Sequence, residues 1–471
     1  MTKNTQKIFF IYPPSPIMNR EDRCQQPTDE LIVIPPLPPV DMMSLSAIAK
    51  KYGYETKFKD YSLKNETVFD FVRDLRAYKP DFLVINVAST TLEKDLSSLI
   101  QARDLLDETI VIAKGAIFNF NSYSIMQQYP EIDIALRGDI EPTFEEIIQY
   151  KNLKDIKGLT YQVENKIIST PDREKQKNLD FLPKLDRDLI DNNFYIRPDT
   201  RKPQTIIKVS KGCPNHCLFC LATPLNGKIV RYKSQELIID EIKECVEKYN
   251  IRDFIFWSDI FNLDNSWVQK LCRLIIDNDL NINFSANTRI DTIDFETLCL
   301  MKKAGCSLVS VGIESGSQEI LDKIGKKITI SQIKKAIQTI NKAKIQIYAY
   351  YVIGLPWETK KTIKETENLS HELNTQYASF YTATALYGTR FYDYVQKNRL
   401  GEISYEKPYI LPSVRSYELT SQEIYEYNKK LNKNYYLRPK YMLKMIKEIN
   451  SITKFKVYYD AFLKLVNLKN D

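Results

Sequence analysis

The chain has 471 residues, 43% of them hydrophobic and 27% charged, which is ordinary for a soluble globular protein and long enough for two units with separate cores. Its net charge of +7 is spread over 67 basic and 60 acidic residues, so it permits an anionic partner without demanding one, and no nucleic-acid partner is expected. No run approaches the roughly 20 apolar residues of a membrane span, and the apolar stretch 8–12 is too short for the core of a signal peptide, so a cytoplasmic protein without a transmembrane segment is expected.

Residues 1–150 alternate strand and helix patterns. Apolar strands are predicted at 7–12, 55–59, 82–87, 110–113 and 133–135, with helical periodicity at 42–51, 67–78, 92–106, 123–128 and 143–150. Such a βα series predicts a doubly wound, flavodoxin-like parallel sheet with helices on both faces. Ligands of these sheets sit beyond the C-terminal strand ends, here at Pro13-Pro14-Ser15-Pro16, Ala88-Ser89-Thr90-Thr91 and Lys114-Gly115. Residues 151–200 are expected to be a linker, with a hairpin around 158–169.

A second series occupies 201–390. Strands are predicted at 205–210, 253–257, 283–286, 308–313, 345–353 and 378–382, and helices at 234–249, 267–278, 295–304, 331–343 and 360–373. Six βα units predict a partial barrel, whose chemistry lies at the C-terminal strand ends. Residues 391–471 become helical, basic and Tyr-rich, and the amphipathic segments 425–449 and 455–468 are expected to pack against the barrel rather than lie on a membrane.

Of eight cysteines, Cys24, Cys245, Cys272, Cys299 and Cys306 are scattered, while Cys213, Cys217 and Cys220 crowd into Lys211-Gly212-Cys213-Pro214-Asn215-His216-Cys217-Leu218-Phe219-Cys220. Gly212 and Pro214 keep this segment out of helix, so it can wrap three thiolates around one group. Iron–sulfur clusters commonly take four thiolates. Three thiolates on a [4Fe-4S] cluster leave one iron open to chelate the amino and carboxylate groups of S-adenosylmethionine (SAM), whose reductive cleavage gives a 5'-deoxyadenosyl radical. The alternatives fit less well. Structural zinc wants four ligands, usually as two pairs, and no second Cys/His pair exists. His216 is adjacent to Cys217 and poorly placed to share its ion, and three unliganded thiols would make an odd core.

The motif resembles that of the radical SAM superfamily, which commonly has an aromatic residue where Phe219 stands. The resemblance implies SAM contacts at the ends of successive strands. Ser258 and Asp259 fall in the amino-group loop, and Asn287 and Arg289 follow the third strand, where Arg289 would pair with the SAM carboxylate. Glu314 lies in Val311-Gly312-Ile313-Glu314-Ser315-Gly316, and Gly354 and Pro356 lie in the adenine-side loop Ile353-Gly354-Leu355-Pro356. Each alone also fits a cap or a surface charge.

A parallel-sheet domain ahead of the barrel is similar to the cobalamin-binding class of that superfamily, at Pro13-Pro14, Lys51-Tyr52-Gly53-Tyr54, Ala88-Ser89-Thr90-Thr91, Gly138-Asp139-Ile140-Glu141-Pro142-Thr143 and Tyr436-Leu437-Arg438-Pro439. The only histidines are His216 and His371, so a lower axial histidine from the first domain is excluded. The resemblance implies base-off cobalamin over Ser89, Thr90 and Thr91. These hydroxyls could instead cap the helix starting at Leu92, or the domain could have lost cobalamin and bind substrate or merely brace the barrel.

The expected activity is methylation of an unactivated carbon or of phosphorus in a small molecule, with radical cyclisation or rearrangement as the alternative. The resemblance also implies an electron donor such as flavodoxin or ferredoxin. Methylthiolation of tRNA or protein usually needs a second cluster, for which the first domain offers only Cys24. A non-catalytic binding protein would leave the three cysteines without a role. Ala385-Leu386-Tyr387-Gly388-Thr389 departs from the family, where a Pro often precedes Gly-Thr, and this puts the local substrate-side loop in doubt.

Overall fold

The computed structural model describes residues 5–16, 18–21, 24–27, 36–64, 66–401, 414–449 and 452–467; Leu468 and the side chain of Cys24 lie outside the described residues. Chain contacts divide it into two units, one ending at Asp191 and one running from Asn192.

In the first unit, strands β1 (Lys7–Tyr12), β2 (Glu55–Asp60), β3 (Phe82–Asn86), β4 (Ile110–Lys114) and β5 (Ile134–Leu136) form a parallel sheet in the order 2-1-3-4-5. Neighbouring residues of β1 face opposite ways. Phe10 meets Phe144 of helix Ile140–Ile148, and Phe9 meets Tyr78 of helix Val68–Tyr78, so helices cover both faces. The order reverses between β1 and β3, which places the topological switch point at Tyr12 and Asn86.

The expected linker is corrected here. Through Asp191 it belongs to the first unit, where β6 (Leu159–Val163) and β7 (Lys166–Ser169) add antiparallel to β5. The reason is the open edge of β5, whose unpaired backbone groups the hairpin satisfies. Farther along, Asp186 is held to helix Val40–Lys51 by Ser46 Oγ at 2.6 Å and Lys50 Nζ at 2.8 Å.

In the second unit, β8 (Gln204–Lys208), β9 (Asp253–Trp257), β10 (Asn283–Thr288), β11 (Cys306–Glu314), β12 (Gln346–Ile353) and β13 (Tyr377–Thr382) form one parallel sheet in chain order, the partial barrel expected. Ile207, Phe256, Phe284, Val309 and Tyr351 pack toward the helices. The alternate residues Trp257, Ser285, Asn287, Ser310, Tyr348 and Tyr350 face the other side, where Tyr348 and Tyr350 bond the hydroxyls of Ser379 and Ser310 at 2.7 and 3.4 Å. This side is polar where many barrels carry layers of Val, Ile and Leu.

Helix Ser421–Leu437 lies on edge strand β13. Asn428 Nδ2 and Tyr436 OH donate to the carbonyls of Phe380 and Ala378 at 2.6 and 2.7 Å, and Asn432 Oδ1 accepts from Phe380 N at 3.2 Å. The tail therefore closes a sheet edge that would otherwise be open.

Candidate functional site

Leaving β8, the chain abandons the barrel sheet, and Ser210–Lys211 pair antiparallel with Arg231–Tyr232. The cysteine loop hangs between the two strands of this ribbon. Gly212 has φ +110°, and a Cβ there would lie 2.1 Å from the carbonyl oxygen of Ile229, so the crossing requires glycine. Asp259, at the end of β9, holds the loop base by accepting from Gly212 N at 2.6 Å and Asn226 Nδ2 at 3.0 Å. Thr223 Oγ1 donates to the carbonyls of Cys213 and Asn215 at 2.9 and 2.5 Å. Leu218 is fixed from both sides, its N–H donating to Ile324 O and its carbonyl accepting from Phe391 N, each at 2.9 Å. A loop pinned at so many points presents its thiols in a set arrangement.

Cys213 is buried beside Ala222 and Ile260, while Cys217 and Cys220 are half-buried. Asn215 Nδ2 approaches Cys213 Sγ at 3.7 Å, and Ala222 N donates to Cys220 Sγ at 3.4 Å. Among the described residues no three thiol, imidazole or carboxylate groups converge on a single ion. Iron–sulfur clusters take one thiolate per iron, whereas structural zinc takes four ligands. The scattered cysteines differ in kind. Cys245, Cys272 and Cys306 are core residues, and burial pushes the Cys272 thiol up to about 12 and raises that of Cys306.

Around the loop the structure gathers a buried charged group. Arg289, following β10, bonds Asp291 through Nε and a terminal nitrogen at 2.8 and 3.0 Å and donates to Lys326 O at 3.2 Å. Lys326 Nζ meets Glu314 Oε1 at 2.5 Å. Burial disfavours charge on both cations, yet both are held above their ordinary values, Arg289 by Asp291 and the sulfurs of Cys217 and Cys213, Lys326 by Glu314 and Cys217. Cys217 thus bears on both Arg289 and Lys326. Glu314 has φ +68°, a left-handed conformation unusual for a side chain at a strand end. Gly312 makes the room, since a Cβ there would sit 2.2 Å from Glu314 Oε1 and 2.8 Å from Lys326 Nζ.

The remaining predicted positions lie at neighbouring strand ends. Ser258 is buried with no hydrogen-bond partner for Oγ among the described residues, and its carbonyl accepts from Asn287 Nδ2 at 3.5 Å. Gly354 has φ +84°, and its N–H and that of Leu355 donate to Glu358, whose other carboxylate oxygen is buried and unpartnered among the described residues. Burial raises the Glu358 carboxyl to about 8, against the pull of these two N–H groups. The carbonyl of Pro356 accepts from Tyr417 N at 2.8 Å. At the departing segment, Gly388 takes φ +84° and Thr389 Oγ1 caps helix Arg390–Asn398, accepting from Tyr392 N at 3.1 Å. Sequence reasoning missed Lys326, Asp291 and Glu358. Lys326 sits in an ordinary charged run, and only Glu358, two residues past Pro356, carried a positional signal.

In the first unit, Ser89, Thr90 and Thr91 form a buried 3-10 turn beyond β3, at the switch point. Thr91 Oγ1 and Ala88 N both donate to Asp95, at 2.8 and 2.9 Å, and Asp95 also takes two bonds from buried Arg20, at 2.9 and 3.0 Å. The hydroxyl of Thr91 therefore bonds one turn into helix Leu92–Gln101. Asn86 Nδ2, beside it, is buried with no partner among the described residues. Lys114, ending β4, is buried against Asp41 at 2.5 Å.

Residues 207–370, which contain the cysteine loop and the charged group, match the model of the Radical SAM superfamily. An uncharacterized methyltransferase of Pyrococcus horikoshii is 29% identical over 90% of this chain and 95% of its own. An anaerobic magnesium-protoporphyrin IX monomethyl ester cyclase of Rubrivivax gelatinosus is 26% identical over 73% of this chain and 63% of its own. The cobalamin-dependent S-adenosylmethionine radical enzyme OxsB, solved with aqua-cobalamin and S-adenosylmethionine, shares the fold over 99% of this chain and 72% of its own, with a TM-score of 0.74 at 14% identity. Among the described residues no helix is long and apolar enough to cross a membrane. What the comparisons show for this chain is therefore a segment, residues 207–370, that matches the radical SAM superfamily and holds the cysteine loop.

Proposed function

We propose that the chain is a cobalamin-dependent radical SAM methyltransferase acting on an unactivated carbon, or on phosphorus, of a small molecule. The observation that carries the reading is the three-cysteine loop at the end of the first barrel strand, with Arg289, Glu314 and Lys326 buried around it. Cys213, Cys217 and Cys220 would hold a [4Fe-4S] cluster, which when bound supplies the electron that cleaves SAM to a 5'-deoxyadenosyl radical.

The chain's own part is to bind, orient and exclude water. Arg289 offers a guanidinium to the SAM carboxylate, with Asp291 setting its plane. Lys326 holds Glu314 in its left-handed conformation, presenting the carboxylate to the amino or ribose groups of SAM. Ser258 and Asn287 complete the amino side, and the backbone of Gly354 and Pro356 forms the adenine side. The barrel face with Trp257, Tyr350 and Ser310 suits a polar or aromatic substrate. In the first unit, the small buried side chains Ser89–Thr91 and the Asn86 amide at the switch point, unpartnered among the described residues, fit a base-off cobalamin, which when bound supplies the methyl carrier. Flavodoxin or ferredoxin is the natural class of electron donor.

The test is anaerobic purification from cobalamin-fed cells with iron, sulfide and cobalt quantified. About four irons and about one cobalt per chain, with SAM cleavage under dithionite, supports the proposal. Iron without cobalt after reconstitution refutes the cobalamin part, and no iron with SAM left intact refutes the whole. A second reading, radical cyclisation or rearrangement, is favoured by the cyclase relative; a product without an added methyl would establish it.

A further inference from the structure

The last two described helices carry an apolar stripe that the described residues leave uncovered. In helix Pro439–Glu448, Tyr441 and Met445 face the body of the unit, while Leu443 and Ile446 are 60% and 61% exposed. In helix Ile452–Asn467 the pattern is sharper. Ile452, Phe455, Tyr459 and Phe462 recur at spacings of three and four residues, which is one helix face, and all are exposed, Ile452 at 77%. Val457, on the other face, and Tyr458, at the edge of the stripe, are half-buried, and the rings of Phe455 and Tyr459 stack at 6.1 Å on the outer side. A soluble helix normally turns such a stripe inward.

Charge decides what covers it. Residues 439–467 contain six lysines and two acidic residues, and Lys440, Lys447 and Lys456 are exposed beside the stripe. In the first helix, at 100° per residue, Lys440, Lys444 and Lys447 occupy one flank of the exposed arc, and Met442, Leu443 and Ile446 the other. A second copy of this chain would bring two equally basic patches together. A nucleic acid would meet the lysines but leave the Phe, Ile and Leu side chains in water. An anionic bilayer takes both, with apolar side chains at the headgroup boundary and lysines among the phosphates.

We propose that helices Pro439–Glu448 and Ile452–Asn467 form a docking surface for an anionic lipid bilayer, holding the enzyme at the membrane face without crossing it. This departs from the packing expected for the whole tail. Helix Ser421–Leu437 does pack on the barrel, and only the two later helices turn an apolar face outward.

The experiment is flotation of the full-length protein with vesicles of phosphatidylcholine alone or mixed with phosphatidylglycerol. The protein should float with the mixed vesicles about tenfold more than with the neutral ones. Binding should fall steeply as salt rises from about 0.1 M to about 1 M, where screening lengths shrink from about 10 Å to about 3 Å. The variant Leu443→Glu/Ile446→Glu/Phe455→Glu/Phe462→Glu should lose binding about tenfold or more while keeping its iron content and SAM cleavage, because all four side chains are exposed and lie outside the cysteine site. Absence of binding to the mixed vesicles, or binding that the variant retains, overturns the proposal. So does a wild-type dimer on gel filtration that the variant converts to monomer, since the stripe would then be covered by a second copy.

Discussion

Glu358 offers a clean physical test of the adenine-side loop. Its carboxyl is fully buried, one oxygen takes the N–H groups of Gly354 and Leu355, and the other has no partner among the described residues. Burial raises it from an ordinary 4.5 to about 8. Linkage gives the sign. Between these values the unfolded chain ionises and the folded chain stays neutral, so stability is lost as pH rises from about 4.5 to about 8. Integrating between pH 5 and pH 7 gives a loss of about 2–3 kcal/mol. Glu358→Gln keeps an acceptor for the loop N–H groups and cannot ionise, so the variant should lack this slope and exceed wild type by about 3 kcal/mol at pH 7. Urea unfolding followed by tryptophan fluorescence is the assay, because Trp257, Trp267 and Trp357 all lie in the second unit and Trp357 adjoins Glu358. Every other titrating group contributes to both proteins and cancels in the difference. Wild-type and variant curves that run parallel from pH 5 to pH 8 would refute the buried neutral carboxyl.

Other expected outcomes rest on the same geometry. Cys217→Ala should retain its far-UV circular dichroism but lose iron and reduce SAM cleavage by about a thousandfold or more, measured as 5'-deoxyadenosine formed under dithionite. Lys326→Met leaves Glu314 buried and unpaired, which should cost about 3–5 kcal/mol in urea unfolding and weaken SAM binding by calorimetry. Gly312→Ala drives a methyl into the same pair and should lower SAM affinity by about tenfold or more, whereas Ala at Gly53, where a Cβ meets nothing within 4 Å, should leave SAM affinity unchanged. Asp95→Ala strands the Arg20 guanidinium inside the first unit and should cost about 3–5 kcal/mol there. Limited proteolysis should show it, and tryptophan fluorescence should not, since the first unit has no tryptophan.

Sequence alone carried whatever depends on near neighbours. The apolar runs of β1 and β3, the six βα periods and the Gly-Cys-Pro loop are local patterns, and each appears in the structure where its spacing puts it. The absence of histidine from the first 191 residues is likewise a fact of composition, and it excludes one mode of cobalt ligation before any coordinate is known. What the sequence could not show are relations between distant residues. Nothing around 151–170 indicates that its hairpin completes the first sheet, because the open edge it pairs with belongs to β5. Nothing near Lys326 distinguishes it from other surface-type lysines until β11 brings Glu314 against it. Glu358 is an ordinary helix-start glutamate in sequence, and burial alone makes it neutral at physiological pH. The tail shows the same division. Its amphipathic period was legible, but which face looks inward depends on where the body of the unit lies, and that is decided only when the chain is folded. Spacing sets which residues can share a face, whereas burial and pairing set their charge and their work, and both are properties of tertiary contact.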